Sequence, residues 1–467
     1  MWEKLTNIFR IPDLRNRVLF TLGLLAVYRL GAHIPTPGID ADALQRLFAA
    51  QKGSYLGFVD LITGGNLSKL TIFALGIMPY ITSSIIFQLL TVIYEPLARL
   101  QKEGELGRKK ITQWTRYMTV VLSAIQGAGI AAMLQRGIGG ERLVNNPGVG
   151  FVLMTMLTLT TGSAFIMWLG EQITERGIGN GMSLLIFSGI VVGLPRGIFD
   201  LVQKAQTQAW GAFTVPALVL LAVVMVAVVA FVVFVERSER RIPMQFAKRM
   251  VGRRMVGGVS SYLPVRVNSG GVMPVIFASS ILTIPQFIGQ LAQNSPTFDR
   301  YFKPVLESLK WGEPLYTLLY GLGIIFFAYF YISIVVNPND TADNMRRQGA
   351  FIPGIRPGVR TSNYINDVMT RITLVGALYL ILISLIPEWM ITGLKLNHLP
   401  LIGTFFEQSF WNWLTLGLKV NFYFGGTSLL IVVGVAMDTV NQIESQLIMR
   451  HYEGFSPRSG RIRGRRW

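Results

Sequence analysis

Ten runs of apolar residues divide this 467-residue chain, near 18–34, 71–93, 114–134, 150–170, 181–194, 213–235, 270–290, 314–336, 368–387 and 422–445. Most approach the roughly 20 residues an α-helix needs to cross the hydrocarbon core of a bilayer. The chain is 51% hydrophobic and 15% charged, whereas soluble proteins carry about 25% charged residues. In lipid every backbone polar group must be bonded internally, which runs of this length achieve as helices. The expected fold is an all-α polytopic membrane protein with ten transmembrane helices.

The net charge of +18 would suggest nucleic acid in a soluble protein, but its distribution gives a different account. With the N-terminus inside, the inside segments hold 28 of the 43 lysines and arginines and the outside segments 11. That positive-inside bias puts both termini in the cytoplasm. Residues 1–17 lack a small-residue cleavage pattern, so 18–34 reads as a retained first span. The absence of cysteine excludes disulfides, thiolate metal sites and cysteine nucleophiles.

The stretch from Phe58 to Ile93 departs from an ordinary span. Its first part, Phe58 to Leu70, is short and amphiphilic, is split by Gly64-Gly65, and carries Asp60, Asn66 and Lys69. Its second part, Thr71 to Ile93, is long enough to cross but contains Pro79, Thr82, Ser83, Ser84 and Gln88. Short or non-helical backbone at membrane depth is tolerated only where protein or a water-filled cavity surrounds it. The expectation is the wall and stopper of an aqueous path.

Elsewhere the ionisable groups are sparse. Arg29, in the first span, can snorkel outward or pair inside the bundle. The alternating glycines of Gly170 to Ser183 follow an apolar span and not a strand, so a tight turn accounts for them better than nucleotide binding. The inside loop 236–269 carries eight Lys and Arg against two acids. Basic loops bind anionic lipid, but a loop of this length favours partner docking. The three histidines stand apart, and no H-E-x-x-H, G-x-S-x-G or acidic metal cluster occurs. Asp438 and Glu444, near the inner end of the last span, are the main acidic exceptions. Ion-coupled carriers keep ionisable groups at mid-membrane, so neither catalysis nor ion-coupled transport is expected, and no cofactor. What remains is apolar spacing: Ile77 with Ile81, and Met182 with Ile186, each pair on one helix face. Alone, such pairs fit core or lipid-facing positions. A narrow apolar ring made of them would disfavour water and ions by dewetting.

Four motifs add a resemblance: LGIMPYITSSII (75–86), GEQITERGIGNG (170–181), GAFIPGIRPG (349–358) and FYFGGTSLLIV (422–432). Their sequence and order are similar to those of the bacterial SecY family, the central channel subunit of the Sec protein translocase, and the likeness covers roughly residues 18–455. The resemblance implies two pseudo-symmetric five-helix halves, 18–194 and 213–445, joined by an external hinge at 195–212, closing as a clamshell around an hourglass pore. It implies a pore ring of Ile77, Ile81, Met182, Ile186, Ile276 and Ile431. It implies a plug at 58–70, including Phe58, Val59, Asp60, Leu61, Ile62, Gly64, Gly65, Asn66 and Leu67. It implies lateral-gate residues Thr82, Gln126 and Asn268, with the gate between the second and third spans and the seventh and eighth. Arg253, Arg254 and Arg356, on the loops 236–269 and 337–367, would dock the SecA motor ATPase or the ribosome. SecE-type and SecG-type subunits, signal-bearing preproteins and the lipid bilayer would be the other partners, in a bacterial inner membrane. Met182 stands where isoleucine is common, and methionine preserves an apolar seal. The external segment 388–421 is longer than in familiar members, and the tail 446–467 is basic.

Overall fold

The computed structural model describes residues 11–40, 43–44, 46, 60, 63–136, 143–206, 214–246, 249–251, 254–256, 260–292, 303–309, 312–392 and 427–453. Each of the ten apolar runs contains a helix: α1 (Pro12–Gly31), α2 (Met78–Ile93), α4 (Glu105–Arg136), α5 (Val149–Arg176), α6 (Gly181–Gln206), α7 (Thr214–Arg237), α8 (Met273–Ala292), α10 (Pro314–Val335), α12 (Val359–Thr392) and α13 (Thr427–Glu453). Shorter helices α3 (Glu95–Lys102), α9 (Lys303–Ser308) and α11 (Pro338–Arg347) lie between them. Proline opens several: Pro12, Pro79, Pro96, Pro314 and Pro338 occupy the first helical turn, where the missing N–H costs nothing.

Among the described residues, α4, α5, α10 with α11, and α12 are long and apolar enough by themselves to cross a membrane. The pair α2 and α3 makes a fifth candidate, bent by 105°. The purely apolar parts of α6 and α8 are shorter, Gly181–Gly193 and Met273–Leu282. The protein is thus a polytopic helical membrane protein. The hydrophobic faces of α4, α10 and α12 look outward: Val121, Ile125, Leu322, Phe326, Leu378 and Leu382 are exposed, as lipid-facing side chains would be.

The first five long helices pack on one another, α4 on α5, α2 on α4, α5 on α6 and α1 on α5. The last five do likewise, with α8 on α10, α10 on α12 and α7 on α13. The two groups meet along two seams. In one, α6 packs on α13 and α7; in the other, α8 packs on α2 and α4.

Two features differ from expectation. The sixth helix, α6, continues through Pro195 to Gln206, into the stretch expected to be an external connection. An interior proline bends a helix where neighbouring groups re-satisfy the freed backbone, and membrane helices tolerate it. The loop 236–269 is also more ordered than a loop. It holds β1 (Glu239–Phe246), β2 (Arg249–Val251), β3 (Arg254–Val256) and β4 (Ser260–Arg266). Strand β1 pairs antiparallel with β4, from Glu239 opposite Arg266 to Gln245 opposite Ser260. It also pairs with β5 (Ala350–Phe351) of the loop 337–367, placing Gln245 opposite Phe351. One face of this sheet, carrying Ile242, Met244, Phe246, Leu263 and Val265, packs with Met345, Ile352, Ile365 and Met369. The period of two that a half-buried strand requires is therefore met. The two expected docking loops form a single unit.

Candidate functional site

The six residues expected to form a ring come from helices of both groups. Ile77 caps α2 and Ile81 lies one turn on; Met182 and Ile186 come from α6, Ile276 from α8 and Ile431 from α13. All six belong to one hydrophobic cluster, with Ile77, Ile186 and Ile431 buried and Ile81, Met182 and Ile276 packed against them. The space left beside it, lined by Tyr28, Thr63, Ile77, Ile166 and Ile186 among others, is a cavity of about 10 Å³. One water needs at least roughly that volume and several polar partners, so this cavity is too small for a file of waters.

Thr63 belongs to the segment that precedes α2, so the segment expected to be the stopper lies beside this cluster. Its local structure explains why the sequence is polar there. The Asp60 carboxylate accepts from the Ser68 N–H at 2.7 Å, and the Asp60 carbonyl from the Gly65 N–H at 2.8 Å. Asn66, 2% exposed, donates to the Tyr28 hydroxyl at 3.3 Å. Tyr28 stacks on Phe73, with centroids 5.6 Å apart. Gly64 has φ +74°, and a Cβ there would sit 2.7 Å from the Gly189 carbonyl oxygen of α6. Only glycine fits both that conformation and that approach. Leu67 is buried in a neighbouring apolar cluster with Leu70, Ala74 and Leu75. Of the remaining plug candidates, Phe58, Val59, Leu61 and Ile62 lie outside the described residues.

The gate candidates belong to α2, to α4 and to the turn before α8, elements that meet at the second seam, and are not bonded as a set. Thr82 Oγ1 donates to the Met78 carbonyl of its own helix at 3.0 Å. Gln126 is half-buried on α4. Asn268, 7% exposed, donates through Nδ2 to Glu236 Oε1 at 2.7 Å and to the Gly271 carbonyl at 3.1 Å. Glu236 had no signal in the sequence beyond its place at the end of an apolar run.

In the turn after β5, Arg356 is exposed, and its carbonyl accepts from Thr361 Oγ1 at 3.0 Å. Arg254 opens β3, which pairs with β2 in a separate two-stranded sheet, and Arg253 lies outside the described residues. The outer face of the β1 sheet pairs Arg241 with Glu239 at 2.8 Å and lays the guanidinium 5.7 Å over the Tyr262 ring. The hydrogen bond to Glu239 raises the Arg241 pKa further above its usual value.

Other ties were missed from sequence because both partners are distant along the chain. The Gly179 N–H donates to Gln442 Oε1 at 2.7 Å, and the Ile178 N–H to Thr21 Oγ1 at 3.1 Å. The glycine-bearing turn thus joins α1 and α13 as well as linking α5 to α6. Arg116 on α4 pairs with Glu171 on α5 at 2.6 Å. Glu388, 2% exposed, accepts from Thr317 Oγ1 at 2.5 Å, tying the C-terminal end of α12 to the N-terminal end of α10. Arg29 neither pairs nor clearly snorkels: its Nη1 is buried without a hydrogen-bond partner. Among the described residues no three His, Asp or Glu side chains are grouped to hold a metal ion.

The family profile described as SecY matches residues 71–440. The chain is 48% identical over 443 residues to the protein translocase subunit SecY of Escherichia coli strain K12, covering 95% of this chain and 94% of that one. Among solved structures it resembles one described as "The structure of a protein conducting channel", with a TM-score of 0.62, 14% identity and 94% of each chain covered. It also resembles Sec61 in a canine ribosome-channel complex, with a TM-score of 0.59, 15% identity and 94% of each chain covered. The chain belongs to the SecY family.

Proposed function

We infer that this protein is the channel through which signal-bearing, unfolded polypeptides cross the membrane and from which apolar segments leave sideways into lipid. The observation that carries this is the ring: six apolar side chains from four helices, drawn from both helix groups, close on one cluster with the stopper against it. An apolar constriction excludes water and ions while offering passing side chains no polar site to bind. That suits cargo of varied chemistry. Ile77, Ile81, Met182, Ile186, Ile276 and Ile431 form the ring, and the segment 58–70 is the plug. Thr82, Gln126 and Asn268 line the seam that opens to lipid. A signal sequence that binds there favours the open state over the closed one.

The chain itself hydrolyses nothing; the driving force comes from a SecA-type ATPase or a ribosome seated on the cytoplasmic sheet around Arg253, Arg254 and Arg356. The fold likeness to a channel bound to a ribosome supports that seat. SecE-type and SecG-type subunits complete the complex. The excess of basic residues in the inside segments supports cytoplasmic termini, and the bacterial relative supports the inner membrane.

A photo-crosslinker placed at position 81 or 276 should capture a precursor stalled in transit, and one at the outward-facing Phe326 should not. Equal capture at all three positions, or capture at 326 alone, would contradict the assignment of the path.

A further inference from the structure

We propose that Glu236 is a positioning residue of the channel, whose bond to Asn268 latches the turn ahead of α8 in the closed arrangement and is released on opening. The proposal rests on the channel reading above. Residues 267–272 connect β4 of the cytoplasmic sheet to α8. This turn is held from three sides. Glu236, at the inner end of α7, takes the Asn268 amide at 2.7 Å. Ser238 accepts the Val267 N–H at 3.0 Å. From α12, Gly376 packs backbone to backbone: a Cβ there would lie 2.7 Å from the Val267 carbonyl oxygen and 3.6 Å from Asn268 Cα.

Beyond the turn, Val272 and Ile276 pack into the cluster that contains the ring, and the Ile276 N–H bonds the Val272 carbonyl at 3.2 Å. A displacement of the sheet therefore reaches a ring residue through one short, pinned connection. Of the polar contacts that hold it, Arg266 to Asp438 is weak: it spans 3.4 Å, with side chains 57% and 74% exposed, and exposed pairs of this kind contribute little. The Glu236–Asn268 bond is short, at 2.7 Å, and sits at a buried asparagine, which makes it the stronger tie. Both amide hydrogens of Asn268 are engaged, one to Glu236 and one to Gly271. Removing the Glu236 acceptor leaves a buried donor unpaired unless the turn moves.

The test uses the reconstituted complex with its SecE-type and SecG-type subunits, SecA and ATP. It measures the ratio of protease-protected precursor carrying a weakened signal to precursor carrying an intact one. Glu236→Ala should raise this ratio by roughly tenfold, the factor lost when one buried donor is left unpaired. Glu236→Gln keeps an acceptor oxygen and should restore most of the discrimination. The Glu236→Ala, Asn268→Ala double variant should relax it no further than either single change. Should Glu236→Ala not assemble, Glu236→Asp, still a carboxyl but one methylene short, should raise the ratio in the same direction. An unchanged ratio in Glu236→Ala or Glu236→Asp, equal behaviour of Gln and Ala at position 236, or additive single effects would overturn the latch. Failure of the unmodified complex to protect even the intact precursor would overturn the channel reading, and the latch with it.

Discussion

Gly64 concentrates the residue-scale argument. Its φ of +74° and its approach to the Gly189 carbonyl leave no place for a side chain. A β-branched residue would pay about 1–2 kcal/mol for the left-handed conformation alone, a factor of roughly 5–30 in an equilibrium. Gly64→Val should therefore unseat the stopper and raise the ion conductance of the idle channel in planar bilayers; unaltered resistance would contradict the seating. The ring residues show how far single positions could be read. The i, i+4 spacing of Ile77 with Ile81 and of Met182 with Ile186 was visible, but it fits any buried helix face. Their convergence with Ile276 and Ile431 is a long-range fact about four helices, which local periodicity does not encode. The resemblance to a family supplied the grouping. Likewise Asn268 was singled out, but its partner Glu236 lies 32 positions away and was not.

At the scale of elements, the ten helices were legible because most of the apolar runs approach the length lipid demands. The strands were not. Pro243 and Pro264 sit inside β1 and β4, and proline weakens a strand assignment. Yet the alternation of Ile242, Met244 and Phe246 was there to be read, and it is what turns one face of β1 inward. Strand β5 has two residues and no signature of its own; it exists because β1 offers it an edge. At position 195 α6 runs on as a helix, past the end of the apolar run 181–194. The joined sheet gives the Arg356 prediction its form. Arg356 is exposed and its side chain supports no packing, so Arg356→Glu should leave folding intact. It should slow SecA-driven translocation several-fold, through loss of charge complementarity with the motor. Translocation at the unmodified rate would count against the docking role.

Over the whole molecule, two groups of helices meet along two unequal seams. The α6 seam is reinforced by the Gly179–Gln442 bond and by Leu14, Ile178, Ile443 and Leu447 packed together. The α8 seam is the thinner of the two and is closed by apolar side chains, with Ile81, Ile85 and Leu89 of α2 clustering with Val275, Phe277 and Ala278 of α8. A structure that parts should part at the less reinforced seam, which is also the one at which the family resemblance puts the gate. The central claim is that this parting lets a polypeptide through. It is tested most directly by placing the chain in liposomes with a SecE-type subunit, SecA and ATP, and asking whether a signal-bearing precursor becomes protected from external protease. The account predicts protection that requires both ATP and the signal. A correctly folded and inserted protein that protects nothing, or protects precursor regardless of signal and ATP, would contradict it.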